Sequence, residues 1–427
     1  MSISVNQCLK TIMHKFVIEG GYSLKGEVNI SGSKNATLPI IAATLLAEGA
    51  SVIHNVPYLR DVDTMLSVMK YMGARISREK NKLLIDTSNV NNPEAPYELV
   101  RKMRASFLVT GPLIARCGEA KVARPGGCAI GPRPIDEHLN GFRTFGVKIT
   151  ESHGYIVAKG RPKGEEINLS ERSVTATENL LMISVLAEGE TKIINAATEP
   201  HIIDLVNFLN SMGARIKEAD GIFYVKGVKK LHPTTYEIIP DYLEAGTFMI
   251  ASAITSGDVF LRGAIAEHST AEILKLEEMG VKINKDASGL YVRGNRRLHS
   301  CEIRTSPYPG FPTDLQPQIC SLLCLANGTS LVKETMYEDR FNHISELQRM
   351  GAEINIDKGM VVIRGVEKLD GAEVMASDIR CGAALVLAGL VAEGRTEVLR
   401  VYHIDRGYEK LEEKLTGLGA MIAREQT

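Results

Sequence analysis

Six times along this chain a helix-like run ends in Met, Leu or Phe followed by Gly, a small residue and a strand-like run. The phrases are MKYMGARI ending at Ile76, FRTFGVKI at Ile149, LNSMGARI at Ile216, LEEMGVKI at Ile283, LQRMGAEI at Ile354 and LTGLGAMI at Ile422. Their glycines, Gly73, Gly146, Gly213, Gly280, Gly351 and Gly419, stand 67 to 73 residues apart. That period is too long for a solenoid repeat of about 20–50 residues and too regular for chance. Each unit must be a small α/β module, and six such modules account for nearly the whole chain.

A second glycine marks the middle of each unit: Gly49, Gly118, Gly189, Gly257, Gly328 and Gly394. Each reads as a helix C-cap. The alternation after it, as in Val52/Ile53 or Val259/Leu261, reads as a strand. Met65, Val68, Met69 and Met72 then fall at i, i+3, i+4 and i+7, the apolar stripe of a helix. Two β-runs follow, as in ARISREKNKLLIDT, so the unit is helix, strand, helix, strand, strand.

The sixth unit reaches Thr427 without its last strand, and Phe16-Val17-Ile18-Glu19-Gly20 resembles the last strand of unit five, Val361-Val362-Ile363-Arg364-Gly365. The N-terminal segment is therefore expected to pair inside the C-terminal half. This gives an α/β protein of two three-repeat domains. One covers 34–241 and carries the Cys128 loop; the other comprises 1–33 plus 242–427. The chain would cross between them near Ser31–Ser33 and Pro240–Asp241, leaving a crevice of the kind that holds ligands.

With 44% hydrophobic and 24% charged residues the composition is that of a soluble globular protein. At 427 residues the chain exceeds one core, and a formal net charge of −1 argues against a nucleic-acid clamp. No run is long and apolar enough for a membrane span or a signal peptide. The seven cysteines, without metal-ligand spacing, suit reduced thiols in a cytoplasm.

The first helix of each unit should begin 14 or 15 residues before the mid-unit glycine, at Lys34, Arg104, Val174, Tyr242, Asp314 and Ile379. Free N–H groups and the helix dipole favour an anion there. Ser33, Ser173, Thr313 and Asp378, each taken alone, read better as helix N-caps. Lys34, Arg104 and Arg380 oppose the dipole, so an anionic partner is expected beside them. Eleven or twelve residues after the same glycines stand Arg60, His201, His268, Arg340 and Arg406, with Arg133 displaced by a four-residue insertion. Arg60, His201 and His268 read as solvated or salt-bridged surface residues. Arg340 and Arg406, in the polar text EDRFNH and HIDRGYE, read as oxyanion binders, because guanidinium matches phosphate and carboxylate bidentately.

The insertion makes the loop ARPGGCAIGPRPIDEH, with Cys128 at its tip. Its glycines and prolines favour unusual backbone conformations. Loop position suggests exposure of Cys128, and Arg124 and Arg133 would stabilise its thiolate. Cys8, Cys117, Cys301, Cys320, Cys324 and Cys381 read as inert, the pair Cys320 and Cys324 as one buried helix face. Neither HExxH nor GxxxxGK[ST] occurs, which disfavours metal or nucleoside-triphosphate chemistry.

GSKNATLPIIAATLLAEG, MRASFLVTGPL, PGGCAIGPRPIDEH, FPTDLQPQ, MASDIR and YHIDRGYE together resemble the enolpyruvyl transferase family, in its branch acting on UDP-N-acetylglucosamine. The resemblance spans essentially the whole chain, in fixed motif order. It implies a six-fold α/β repeat in two domains like an inside-out barrel. It also implies transfer of the enolpyruvyl group of phosphoenolpyruvate to the 3′-hydroxyl of the sugar nucleotide, with release of phosphate. That reaction is the first committed step of peptidoglycan synthesis, and so bears on cell shape and division. It proceeds by addition–elimination through a tetrahedral intermediate and needs an acid, a base and cations for phosphate and carboxylate.

By the same resemblance Cys128 is the proton donor, the site of a covalent phosphoenolpyruvate adduct and the target of fosfomycin. Asp314 handles the sugar hydroxyl, and Lys34 and Arg406 join these two as catalytic residues. Lys34, Asn35, Arg133, Arg340, Arg380 and Arg406 surround phosphoenolpyruvate. Asn35, Arg104, Arg133, Pro134, Ile135, Asp136, Glu137, Ser173, Val174, Asp314 and Met336 lie near the sugar nucleotide. No cofactor or metal is implied. The partners are the two small-molecule substrates, with neither nucleic acid nor membrane.

The chain departs from the family's text at Glu171–Thr177, where many members read KVSVGAT, and at Tyr337 and Asp339, commonly Phe and Asn. None of these positions belongs to the implied chemical centre. The nearest rival is the sibling that uses shikimate 3-phosphate, which lacks a counterpart of the PGGC loop. A non-catalytic sugar-nucleotide-binding paralogue is disfavoured by Cys128, Lys34, Asp314 and Arg406 standing together.

Overall fold

The computed structural model describes residues 14–125, 134–357 and 359–427. The six Met-Gly-type glycines all end their helices in one way. The Gly73 N–H donates to the Lys70 carbonyl at 3.0 Å, and the Ala74 N–H reaches back to the Met69 carbonyl at 3.0 Å. The same pair of bonds recurs at Gly146, Gly213, Gly280, Gly351 and Gly419. In all six the glycine φ lies between 80° and 105°, a left-handed conformation that a Cβ would strain. The repeat is thus a repeated Schellman cap, and it explains why that position is always glycine.

The mid-unit glycines differ from the expected C-caps. Gly118 alone caps its helix, with φ of 74°. The other five lie beyond the helix end, directly before the strands that begin at Ala50, Glu190, Asp258, Thr329 and Arg395. The first helices stop early, as where Lys34–Ala43 tightens into the 3₁₀ turn Thr44–Leu46. These glycines serve the turn into the strand.

Six four-stranded sheets are present among the described residues, one per unit. Each has a strand that sequence periodicity missed: Lys25–Asn29, Glu94–Ala95, Glu166–Asn168, Thr235–Glu237, Glu302–Arg304 and Glu373–Met375. These short strands follow one unit's hairpin and pair in parallel with the first strand of the next. Glu94 lies opposite Lys121, Glu166 opposite Lys192, and Thr235 returns to Val52. The first three units therefore close into a ring.

The last three close likewise, through Glu302 opposite Leu331, Glu373 opposite Glu397 and Lys25 opposite Asp258. The N-terminal segment completes this second ring twice over. His14–Glu19 lies antiparallel between Arg395–Leu399 and Met421–Gln426, with Phe16 opposite both Val398 and Arg424. Lys25–Asn29 then supplies the linking strand.

The sheets face outward and the first helices inward. Lys82–Asp86 alternates exposed and buried positions, whereas all residues of Tyr242–Ile254 are buried. A helix apolar all round belongs in an interior. The buried apolar side chains form two separate clusters, one drawn from Ala36 to Ile238 and the other from Phe16–Ile30 and Tyr242–Ile422. Between them the chain crosses twice, side by side. The Ser33 N–H donates to Ile239 at 2.8 Å and the Asp241 N–H donates to Ser31 at 2.8 Å.

Candidate active site

A cleft enclosing about 280 Å³ lies between the two rings, and residues of both line it. Helix starts deliver its polar groups. Helices begin at Lys34, Val174, Tyr242 and Ile379, and 3₁₀ turns begin at Arg104 and Thr313. Ser33, Ser173, Asp241 and Asp378 act as N-caps, each accepting from backbone N–H groups of the following turn. Asp241 does more than cap its own helix. Its second oxygen accepts the Lys34 N–H at 3.0 Å, so one carboxylate fixes helix starts in both units.

Thr313 departs from the expected cap. Its hydroxyl donates to Glu334 at 2.9 Å and accepts from Arg340 Nη1 at 2.9 Å. Glu334 also accepts the N–H groups of Met336 and Tyr337, which fixes that segment of the cleft wall.

Two aspartates organise the cations. Asp314 accepts from Arg340 Nη2 at 2.8 Å with one oxygen and from Arg380 Nη2 at 2.9 Å with the other. Burial pushes the Asp314 carboxyl up, but the Arg380 and Arg340 guanidiniums outweigh it and hold it well below the carboxylate range. Arg380 is itself braced by the Tyr408 hydroxyl at 3.1 Å, which in turn meets Thr247 and Gln318. Asp61 accepts from Lys34 Nζ at 3.1 Å and from Arg406 Nε at 2.8 Å. Burial opposes its charge as well, and Lys34 and Arg406 win, so Asp61 stays ionised. The anionic partners expected beside Lys34 and Arg380 are therefore aspartates of the chain itself.

Of the residues named from sequence, Lys34, Asn35, Arg104, Val174, Asp314, Met336, Arg340, Arg380 and Arg406 line the cleft. Ser173 sits behind Val174 as its cap. The carbonyl of Pro134 accepts from Arg104 at 3.0 Å, and buried Ile135 precedes the helix Asp136–Thr144. Glu137 accepts the Ser170 N–H at 3.2 Å, and Asp136 opens that helix. Cys128 and Arg133 lie outside the described residues, as does Cys8. Arg124, expected to support a thiolate, pairs with Glu151 at 2.6 Å on an exposed edge. Cys301, Cys320, Cys324 and Cys381 are buried, while Cys117 is exposed.

His201 corrects the surface reading: it is 2% exposed and lines the cleft. Arg60 is the exposed cation expected, 3.7 Å from Asp405. His268 is half-buried, and its Nδ1 has no partner among the described residues. Sequence reasoning missed Asp61, Glu178, Glu199 and Glu272, which also line the cleft. Asp61 had one available signal, its place beside the recurring basic position at Arg60. The glutamates had none, because helical acids look alike until the units meet.

Comparison with known proteins agrees with this geometry. Residues 18–415 match the family model described as EPSP synthase (3-phosphoshikimate 1-carboxyvinyltransferase). The UDP-N-acetylglucosamine 1-carboxyvinyltransferase 1 of Caldanaerobacter subterraneus subsp. tengcongensis is 52% identical over 96% of this chain and 99% of its own length. The UDP-N-acetylglucosamine 1-carboxyvinyltransferase 2 of Carboxydothermus hydrogenoformans is 53% identical over the same shares. Among solved structures, the enolpyruvyl transferase NikO from Streptomyces tendae superposes with a TM-score of 0.87 at 24% identity, over 97% of this chain and 100% of that one. EPSP synthase from Acinetobacter baumannii gives 0.77 at 20% identity, over the same shares. These two share the inside-out α/β fold. Taken with relatives about half identical along nearly their whole length, they make the chain a member of the enolpyruvyl transferases, in the UDP-N-acetylglucosamine 1-carboxyvinyltransferase family.

Proposed function

We propose that this chain transfers the enolpyruvyl group of phosphoenolpyruvate to the 3′-hydroxyl of UDP-N-acetylglucosamine and releases phosphate, the first committed step of peptidoglycan synthesis in the cytoplasm. The observation that carries this is the convergence of Lys34, Arg340, Arg380 and Arg406 on Asp61 and Asp314 in one inter-unit cleft. Phosphoenolpyruvate carries a phosphate and a carboxylate, and guanidinium and ammonium groups match both.

The two rings act as domains, 34–241 and 1–33 plus 242–427, that close over the substrates and exclude water from a reactive intermediate. In the addition step Cys128 protonates the methylene carbon, and the 3′-hydroxyl oxygen bonds to the adjacent carbon. Asp314 orients that hydroxyl and takes its proton as the C–O bond forms. Held between two guanidiniums, Asp314 is a weak base. When Arg340 and Arg380 turn part of their charge to the incoming phosphate or carboxylate, Asp314 regains basicity where it is needed. In the elimination step the new methyl group returns a proton to the Cys128 thiolate as the C–O bond to phosphate breaks, and the proton held by Asp314 leaves with the phosphate. Lys34, Arg133 and Arg406 stabilise the charge on the leaving phosphate. Asn35, Arg104, Ser173, Val174, Met336 and the Arg133–Glu137 stretch hold the sugar nucleotide.

Mass spectrometry tests the role of Cys128. After incubation with phosphoenolpyruvate or fosfomycin, the peptide containing Cys128 should carry the adduct. An unmodified Cys128 peptide from an enzyme that turns over would remove Cys128 from this role. Cys128→Ser with unchanged turnover at every pH would do the same.

A further inference from the structure

A second group of polar side chains lines the same cleft and takes no part in its ion pairs. His201 is 2% exposed, and neither of its ring nitrogens has a hydrogen-bond partner among the described residues. Among the same residues Glu272, 4% exposed, leaves Oε1 without a partner, and Glu199 leaves Oε2 so. Glu199 and His201 stand at the start of helix Pro200–Ser211 in the first ring, and Glu272 lies on helix Thr270–Glu278 in the second ring. The His201 ring stacks on Tyr242 of the second ring, with centroids 6.3 Å apart and planes 12° from parallel.

Buried polar atoms are normally paired, because leaving them unpaired is costly. Several from both units, gathered on one cleft, mark a surface made for a ligand. Burial raises the Glu272 carboxyl to about 8 and raises Glu199, which faces Arg172 and the Tyr308 backbone. Burial lowers His201 to about 4, although Asp314 opposes this. Glu178, which repels Glu199, is raised as well. Near neutral pH the Glu272 carboxyl keeps its proton and the His201 ring is uncharged, and burial pushes Glu199 in the same direction as Glu272. A neutral imidazole and a protonated carboxyl each offer one donor and one acceptor. A sugar hydroxyl and an acetamido group offer the complementary pair, whereas an anionic acceptor group would meet acids here.

We propose that His201, Glu199 and Glu272 form the wall that reads the hydroxyl and acetamido groups of the acceptor sugar, apart from the cations that take phosphate and carboxylate. This rests on the enolpyruvyl-transfer reading, and wild-type turnover with UDP-N-acetylglucosamine tests that reading separately. Without such turnover the transfer reading fails, and this assignment with it. Given turnover, calorimetric titration of UDP-N-acetylglucosamine and of UDP, which lacks the sugar, tests the wall alone.

His201→Phe and Glu272→Leu should weaken UDP-N-acetylglucosamine at least tenfold while UDP stays within about twofold of wild type. His201→Gln and Glu272→Gln, which keep a donor and an acceptor, should recover most of the loss. The KM for phosphoenolpyruvate should move less than the KM for the acceptor. Equal weakening of both nucleotides, no weakening of either, or no recovery by the Gln variants would overturn the assignment. If His201→Phe fails to fold, the contrast between Glu272→Leu and Glu272→Gln decides.

Discussion

Asp61 holds Arg406 at 2.8 Å across the cleft, joining the first ring to the second through one carboxylate that also holds Lys34 at 3.1 Å. Two cations that suit a phosphate are thus partly neutralised by an acid that is 3% exposed. Breaking such a pair from one side leaves uncompensated buried charge.

Asp61→Asn should therefore lower the melting temperature of the free protein. Inorganic phosphate, taking the place of the lost carboxylate, should raise it more in the variant than in wild type. Thermal unfolding across a phosphate titration checks this, and equal shifts in the two proteins would contradict it.

Ring closure by the N-terminal segment makes a local prediction. Ile18 is fully buried in the strand His14–Glu19. Ile18→Ala should cost about 2–5 kcal/mol. Hydrogen exchange should accelerate in Arg395–Leu399 and Met421–Gln426, which flank that strand, before it does so in Ala50–His54. Uniform acceleration in both rings would contradict the two-ring account.

The Schellman glycines can be tested without confounding contacts. At Gly146, with φ of 80°, an added Cβ would meet nothing within 4 Å. Gly146→Ala should cost only the left-handed backbone penalty, about 1–2 kcal/mol, and Gly146→Asn less. Urea unfolding measures both, with turnover unchanged; a neutral alanine variant would contradict the cap.

Glu272 sets a pH dependence. Its folded carboxyl titrates near 8, against about 4.3 for an unfolded glutamate. Between those values the folded chain holds a proton that the unfolded chain has released, so stability falls as pH rises and levels off above about 8. Glu272→Gln lacks this term. Its melting temperature relative to wild type should climb from pH 5 to pH 8 and then stay level. A pH-independent difference would show that Glu272 is ionised throughout.

Much of this architecture was legible in the sequence because it is repeated. Glycine at a left-handed C′ position has few substitutes, so six helix ends announced themselves, and helix starts at Lys34, Val174, Tyr242 and Ile379 followed by counting back from the separate mid-unit glycines. The linking strands were not legible. Glu94–Ala95 and its equivalents are two to five residues long, too short to show alternation, and only their distant partners make them strands. At the cleft, Lys34, Arg340, Arg380 and Arg406 stood out as cations in telling positions. Asp61, Glu199 and Glu272 did not, and His201 stood out only as a surface residue, because their burial arises where two rings meet and leaves no local pattern. Thr313 looked like a cap and instead bridges Arg340 and Glu334.

The most direct test of the central claim is phosphate release from phosphoenolpyruvate by the wild-type protein, measured with each of two acceptors. The account predicts sustained release with UDP-N-acetylglucosamine, one phosphate per enolpyruvyl ether formed, and none above background with shikimate 3-phosphate. Release with shikimate 3-phosphate alone, or with neither acceptor, would contradict it.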